Sequence, residues 1–323
     1  MRVLTTTLLV SMIVLAGCTS EKQTVNISEP VNNEVIDITN AIFENTSPSC
    51  KEYVGYYLAT VIDKSNDNQL TSEVNITTDE SKCTITSNGI PNHDFAIGGK
   101  FVTDAKPVME TFSFTNTPTV SATPTPLTLQ YDNAIFLNGA KLDLLAAACY
   151  GVGNEPLGKE KIGCGNSDTP WRYDPMHPDN DFGEDANHAH TQPDGAYHYH
   201  GDPAAMYDTA GNTASGVIGF AADGFPIRGP YIDDNGTIRE VKSGYVLKEG
   251  NRTNQQGEGA FPNGTWNGIF RDDFVWQDGV GDLDECNGKI VNGTYTYFVT
   301  FSFPWVMGCF KGLPDETFKK GPR

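Results

Sequence analysis

The apolar residues of this chain come in short runs that are cut off before a helical period can establish itself. "YVGYYLATVI" (53–62), "SEVNITT" (72–78), "CTITSNGI" (83–90), "LTLQYDNAIFLNG" (127–139), "VIGFAADGFPI" (217–227), "GYVLKEG" (244–250), "DDFVWQ" (272–277) and "TYTYFVTFSF" (294–303) are strand-like. Thirty-three glycines and 19 prolines punctuate them, as expected where turns join many short strands. The fold class that follows is mainly β, with α+β as the variant. It would hold many short antiparallel strands in a single globular domain with a few short helices. "KLDLLAAACYG" (141–151) is the best helix candidate, and "DLDECNGK" (282–289) reads as a helical turn. The Pro/Thr-rich "TPTVSATPTPLT" (117–128) reads as a loop inside the domain. "DGAYHYH" (194–200) is echoed by "NGTYTYF" (292–298), and each is followed by a Phe-Pro, in "GFPI" (224–227) and "SFPW" (302–305). Two related hairpins in one sheet would explain the echo.

The first residues, "MRVLTTTLLVSMIVLAGCTS", place one Arg before an apolar run that ends in small residues and a cysteine, the pattern of a secretory signal. Leu15-Ala16-Gly17-Cys18 resembles a bacterial lipobox, which implies a signal over 1–17, a lipidated Cys18 and a bilayer as partner. Residues 18–48, rich in Ser, Thr, Asn and Glu, are expected to form a flexible tether to a body spanning 49–323. The expected location is the bacterial cell envelope, lipid-anchored and extracytoplasmic. With Cys18 set aside, an even set remains, which outside the cytoplasm suggests disulfides. Nearness in sequence pairs Cys50 with Cys83, Cys149 with Cys164 and Cys286 with Cys309. A net charge of −19 argues against nucleic acid as a partner.

Four of the six histidines lie in "HAHTQPDGAYHYHGDP" (188–203). Strand alternation puts His198 and His200 on one face and Tyr197 and Tyr199 on the other. The same applies to His188 and His190, and "TQPDG" between the pairs is turn chemistry. A hairpin there would gather imidazoles that suit zinc or copper. "NHD" supplies His93 and Asp94 as further candidates. His177 reads as a loop residue. The acidic runs Asp179–Asp185 and Asp278–Glu285 offer oxygens for calcium, a weaker reading because neither fits a calcium-binding loop. No nucleophile elbow, phosphate loop or dinucleotide-binding glycine pattern is present.

The segment "AHTQPDGAYHYHGDP" resembles the signature of the bacterial YHYH-domain proteins. "SNGIPNHD" (87–94), "FLNGAKLD" (136–143), "GFAADGFPIRGPY" (219–231), "GDLDECNGK" (281–289) and "FPWVMGCFKG" (303–312) resemble further segments of that family, over roughly residues 83–313. The resemblance implies His93, His190, His198 and His200 as the family's histidines, ranks His188 lower, and implies a histidine where this chain has Thr296. It implies little chemistry. Three functions fit: a transition-metal-binding envelope lipoprotein, a metal-dependent hydrolase of an envelope or environmental polymer, and a structural or adhesive surface β-domain. The hydrolase reading rests on analogy with lysostaphin-like zinc peptidases, in which an H-x-H strand serves the metal. The adhesive reading needs a protein or glycan partner and exposed aromatics among Trp171, Trp266, Trp276 and Trp305.

Overall fold

The computed structural model describes residues 34–321, so the leader and Cys18 lie outside the described residues. Strands β1 (Val35–Asp37), β2 (Gly55–Asp63), β3 (Asn68–Thr78), β4 (Lys82–Ser87) and β5 (Glu110–Thr115) form one sheet in that order. It is antiparallel except for β1 on β2. Alternation decides which face is buried: Ala59 and Val61, Val74 and Ile76, Cys83 and Ile85, Phe112 and Phe114 all point into the core. Residues 34–48, expected as tether, belong to the body. Strand β1 pairs with β2, Ile38 is buried, and the Asn92 amide donates to the carbonyls of Ile38 and Ala41. This attachment is made mostly by backbone groups, which leave no apolar period to read.

The chain continues through β6 (Thr125–Pro126), β7 (Ala134–Phe136), β8 (Lys141–Leu142), β9 (Ala189–Thr191), β10 (Tyr197–Tyr199), β11 (Val217–Ala221) and β12 (Pro226–Arg228). After β13 (Tyr231–Asp234), β14 (Thr237–Glu240), β15 (Tyr245–Leu247) and β16 (Phe274–Trp276) come β17 (Gly288–Val291), β18 (Thr294–Phe298) and β19 (Cys309–Phe310). Eight of these make the central sheet, in the order β17-β18-β12-β11-β7-β8-β10-β9. Its inner strands are buried on both faces. Phe114 of the first sheet stacks on Phe220 of the second at 4.9 Å, within one shared core.

The central sheet reads the same from both ends. β7–β8 is an antiparallel hairpin, β8–β10 is parallel and β10–β9 antiparallel. β11–β12, β12–β18 and β18–β17 repeat those relations, and β7–β11 joins the halves. The hairpin echo is therefore a repeated structural unit. The Phe-Pro part of the echo does not hold. Gly224 turns β11 into β12 at φ 88°, as Gly139 turns β7 into β8 at φ 85°, whereas "SFPW" lies beyond β18.

Cys50–Cys83, Cys149–Cys164 and Cys286–Cys309 are the three disulfides, as nearness in sequence suggests. The expected helix over 141–151 is absent. Lys141–Leu142 form β8, and the carbonyls of Ala147 and Ala148 accept from Cys164 and Tyr173. Leu142, Leu144, Ala146 and Ala148 are all buried, and an apolar run buried on every side has no stripe to separate helix from strand. "DLDECNGK" is a turn leading into β17. The helices among the described residues are 3-10 turns, and none is long and apolar enough to cross a membrane.

Candidate metal centre

The hairpin β9–β10 is set by its turn. Gly195 adopts φ 91°, the Asp194 carboxylate accepts from the Ala196 amide, and the Gln192 amide donates to the Ala196 carbonyl. Register then places His198 opposite His190. His200 follows two residues later on the same face. The three rings form a near-equilateral triangle, with centroids 4.7, 4.7 and 4.8 Å apart. Their Nε2 atoms converge: His198 to His200 at 3.1 Å and His200 to His190 at 3.0 Å. Two nitrogens bound tetrahedrally to zinc at its usual bond length stand about 3.3 Å apart, so the spacing suits one ion.

Proton counting sharpens this fit. The Nδ1 of His190 lies 2.8 Å from the Phe182 carbonyl, which can only accept. In a neutral ring Nδ1 therefore carries the hydrogen, and Nε2 offers a lone pair. The Nε2 of His200 touches two nitrogens but has at most one hydrogen to give. Three nitrogens thus converge with fewer protons than contacts, and a cation satisfies all of them. Burial drives the pKa values of His198 and His200 well below the ordinary histidine value and lowers that of His190. The favoured cation is then a metal, because the proton has been made expensive. The Phe182 carbonyl also acts as the orienting partner that metal-bound histidines usually have.

Among the described residues, these three histidines are the one group of His, Cys, Asp or Glu placed to hold a metal. His93 does not join them. Its ring lies with Tyr199, on the other face of β10, and the hydrogen-bond directions there are fixed. Asn138 Nδ2 donates to the Tyr199 hydroxyl at 3.0 Å, so the hydroxyl gives its proton to His93 Nε2 at 2.6 Å, and His93 Nδ1 donates to the Asp94 carbonyl at 2.8 Å. Both ring nitrogens are spent. Asp94 is occupied by the Ile62 amide and Lys64. Tyr197 bonds to Asp185 and Tyr199 serves His93, so neither tyrosine reaches the triad. His188 is a backbone device. At φ 59° its carbonyl accepts the His200 amide, and its Nδ1 binds the Asp202 carbonyl.

Thr296 is on β18, near the opposite end of the sheet, where its register partner is Lys289. The implied histidine at this position is therefore not one that the triad lacks. Sequence reasoning missed the Phe182 carbonyl, since backbone acceptors carry no residue signature. It also missed Lys141, which pairs in register with His198 and forms ion pairs with Glu110 and Asp132. None of the four tryptophans is exposed. Trp171 is buried, and the indoles of Trp276 and Trp305 donate to the Leu283 carbonyl and the Asp174 carboxylate.

The fold and site define a disulfide-stapled β protein with a buried three-histidine cluster on a Tyr-His-Tyr-His strand. A family model described as YHYH protein matches residues 111–312, and the chain belongs to that family. His93 falls outside the matched residues. No curated protein and no solved structure matches the chain.

Proposed function

We propose that this protein is a lipid-anchored extracytoplasmic YHYH protein that binds one transition-metal ion through His190, His198 and His200. The observation that carries the reading is the convergence of three Nε2 atoms in a buried site with too few protons to satisfy them. Neutral imidazoles favour zinc or copper over calcium, which takes oxygen ligands. The disulfides fit an oxidising compartment, and Leu15-Ala16-Gly17-Cys18 supports an anchor at Cys18. Metal analysis of protein purified with zinc or copper should find about one ion per chain, and about none in His198→Ala/His200→Ala. Equal metal content in the two proteins would sink the proposal.

A metal-dependent hydrolase is the second reading. Three protein ligands leave a coordination position for water or substrate. A cleft of about 650 Å³ lined by Lys141, Gln192 and Lys320 adjoins the same sheet face as His198. Turnover of an envelope polymer that chelation stops and metal restores would establish it.

A further inference from the structure

A separate cleft of about 380 Å³ is lined by Leu127, Leu145 and Phe303 together with Arg172 and Arg271. Most of the described arginines spend their guanidinium groups on protein acceptors. Arg172 donates to the carbonyls of Ala146 and Asn166, Arg228 to that of Ser215, Arg239 to Asp234 and Asp282, and Arg252 to Asp273. Arg271 is the exception. Among the described residues its guanidinium has no hydrogen bond and no carboxylate at ion-pair distance. Its Nη1 is closed off from solvent and has no partner. It lies 4.8 Å over the Phe303 ring, and the nearby Asp174 carboxylate is engaged by the Trp305 indole. Thr169 lines the same cleft, and its Oγ1 is likewise buried without a partner. Unpaired buried donors of this kind are costly to leave without a partner.

We propose that this cleft binds a small organic monocarboxylate, with the carboxylate against the Arg271 guanidinium and beside Thr169. The planar guanidinium matches a carboxylate in two parallel hydrogen bonds. Leu127 and Leu145 line the side of the cleft that would face the apolar body of the ligand, and the volume lies at the small end of ligand sites. The charge balance is near neutral, which disfavours a polyanion more than a monoanion. Asp272, held by Gln255 and by the amides of Trp171 and Arg172, and the exposed Asp168 at the cleft offset the two arginines. A polyanion would meet no net positive field.

The test is calorimetric titration of the purified protein, in the presence of chelator, with phenylacetate, hexanoate and N-acetyl-leucine. Each is compared with its own amide, and inorganic phosphate serves as the polyanion control. At least one carboxylate should saturate a single site and bind at least about tenfold, or about 1.4 kcal/mol, more tightly than its amide. Arg271→Met should weaken it by at least about tenfold, and Thr169→Val by less. Arg271→Lys, which keeps the charge and loses the fork, should also weaken it, and it decides the matter if the methionine variant does not fold. The proposal is overturned if no carboxylate binds at millimolar concentration. It is equally overturned if amides or phosphate bind as well as the acids, or if a folded Arg271 variant binds unchanged. The chelator keeps the result independent of the histidine site.

Discussion

The two ends of the central sheet are copies with different contents. In one, Asp185 accepts the Tyr197 hydroxyl, its amide donates to the Ala189 carbonyl, and His188 at φ 59° offers its carbonyl to His200. In the other, Asp284 accepts the Tyr295 hydroxyl, its amide donates to the Gly288 carbonyl, and Asn287 at φ 67° offers its carbonyl to Phe298. The inner tyrosines correspond as well. Tyr199 takes a hydrogen bond from Asn138 and gives its proton to His93, whereas Tyr297 takes one from the Lys311 amide and gives its proton to Asp223. The frame, two tyrosines on one face and an aspartate before the strand, is thus independent of the histidines. On the opposite face, His190, His198 and His200 at one end stand where Lys289, Thr296 and Phe298 stand at the other. The tyrosines of the YHYH motif build the sheet, and its histidines are free to carry function.

The comparison breaks most readily with acid. Burial holds His198 and His200 neutral in the folded chain, while unfolded histidines protonate near pH 6.5. Below that pH the unfolded state binds more protons, so stability falls as pH falls. The full contribution is present above pH 6.5, and the loss continues down to the lowered folded pKa values. Each ring costs about 1.4 kcal/mol per pH unit inside that window, so the two fully buried rings approach about 3 kcal/mol per unit in metal-free protein. Denaturation of chelated protein from pH 7.5 to 5 should show this slope, and His198→Gln/His200→Gln should flatten it. A slope that persists in the variant would mean that the acid sensitivity lies elsewhere. The opposite hairpin has no imidazole to contribute.

Parts of this site were legible in the sequence, for reasons that can be named. Period-two alternation is local, so the common face of His198 and His200 follows from four letters. Turn chemistry is local too, so "TQPDG" brings His190 across. His93 is a candidate from "NHD" and from the resemblance, and its place beside Tyr199 on the other face of β10, with both ring nitrogens engaged, removes it. The repeat was faint because what it conserves is a frame, with Asn138 against Asp223 and Cys286 where Asn187 stands. The false helix at 141–151 has a different cause: in strands buried on both faces, side-chain polarity no longer reports geometry.

A second, smaller effect concerns how each end is secured. Cys286, just before β17, is tied to Cys309 on β19, while the equivalent Asn187 carries no covalent tie. One end has a disulfide and the other has the candidate coordination site. Cys286→Ala/Cys309→Ala should cost about 3 kcal/mol, from the loop closed over a sequence separation of 23 residues. Because the staples sit at opposite ends of the sheet, the loss should add to the effect of chelation, to within about 0.5 kcal/mol. Urea denaturation of both proteins with and without chelator measures the coupling. A cost that disappears when metal is removed would show the ends acting as one unit, against the picture of independent copies.

The smallest effect on stability is expected at the matched pair His190 and Lys289, which occupy the same place in the two hairpins. Lys289 is half-buried, pairs with Thr296 in register, and forms no ion pair among the described residues. Lys289→Ala should change stability by no more than about 0.5 kcal/mol and leave metal content untouched. His190→Ala removes the most exposed ring of the triad and the one whose tautomer the Phe182 carbonyl fixes. It should leave the metal-free fold nearly as stable, since it also relieves converging lone pairs. Metal affinity should nevertheless fall by at least about tenfold, because two imidazoles replace three. Competition with a chromophoric chelator reads the affinity, and thermal unfolding of the chelated protein reads the fold. Equal affinity in the two variants would place His190 outside the coordination sphere and reduce the triad to an aromatic cluster of the same kind as Tyr295 and Tyr297.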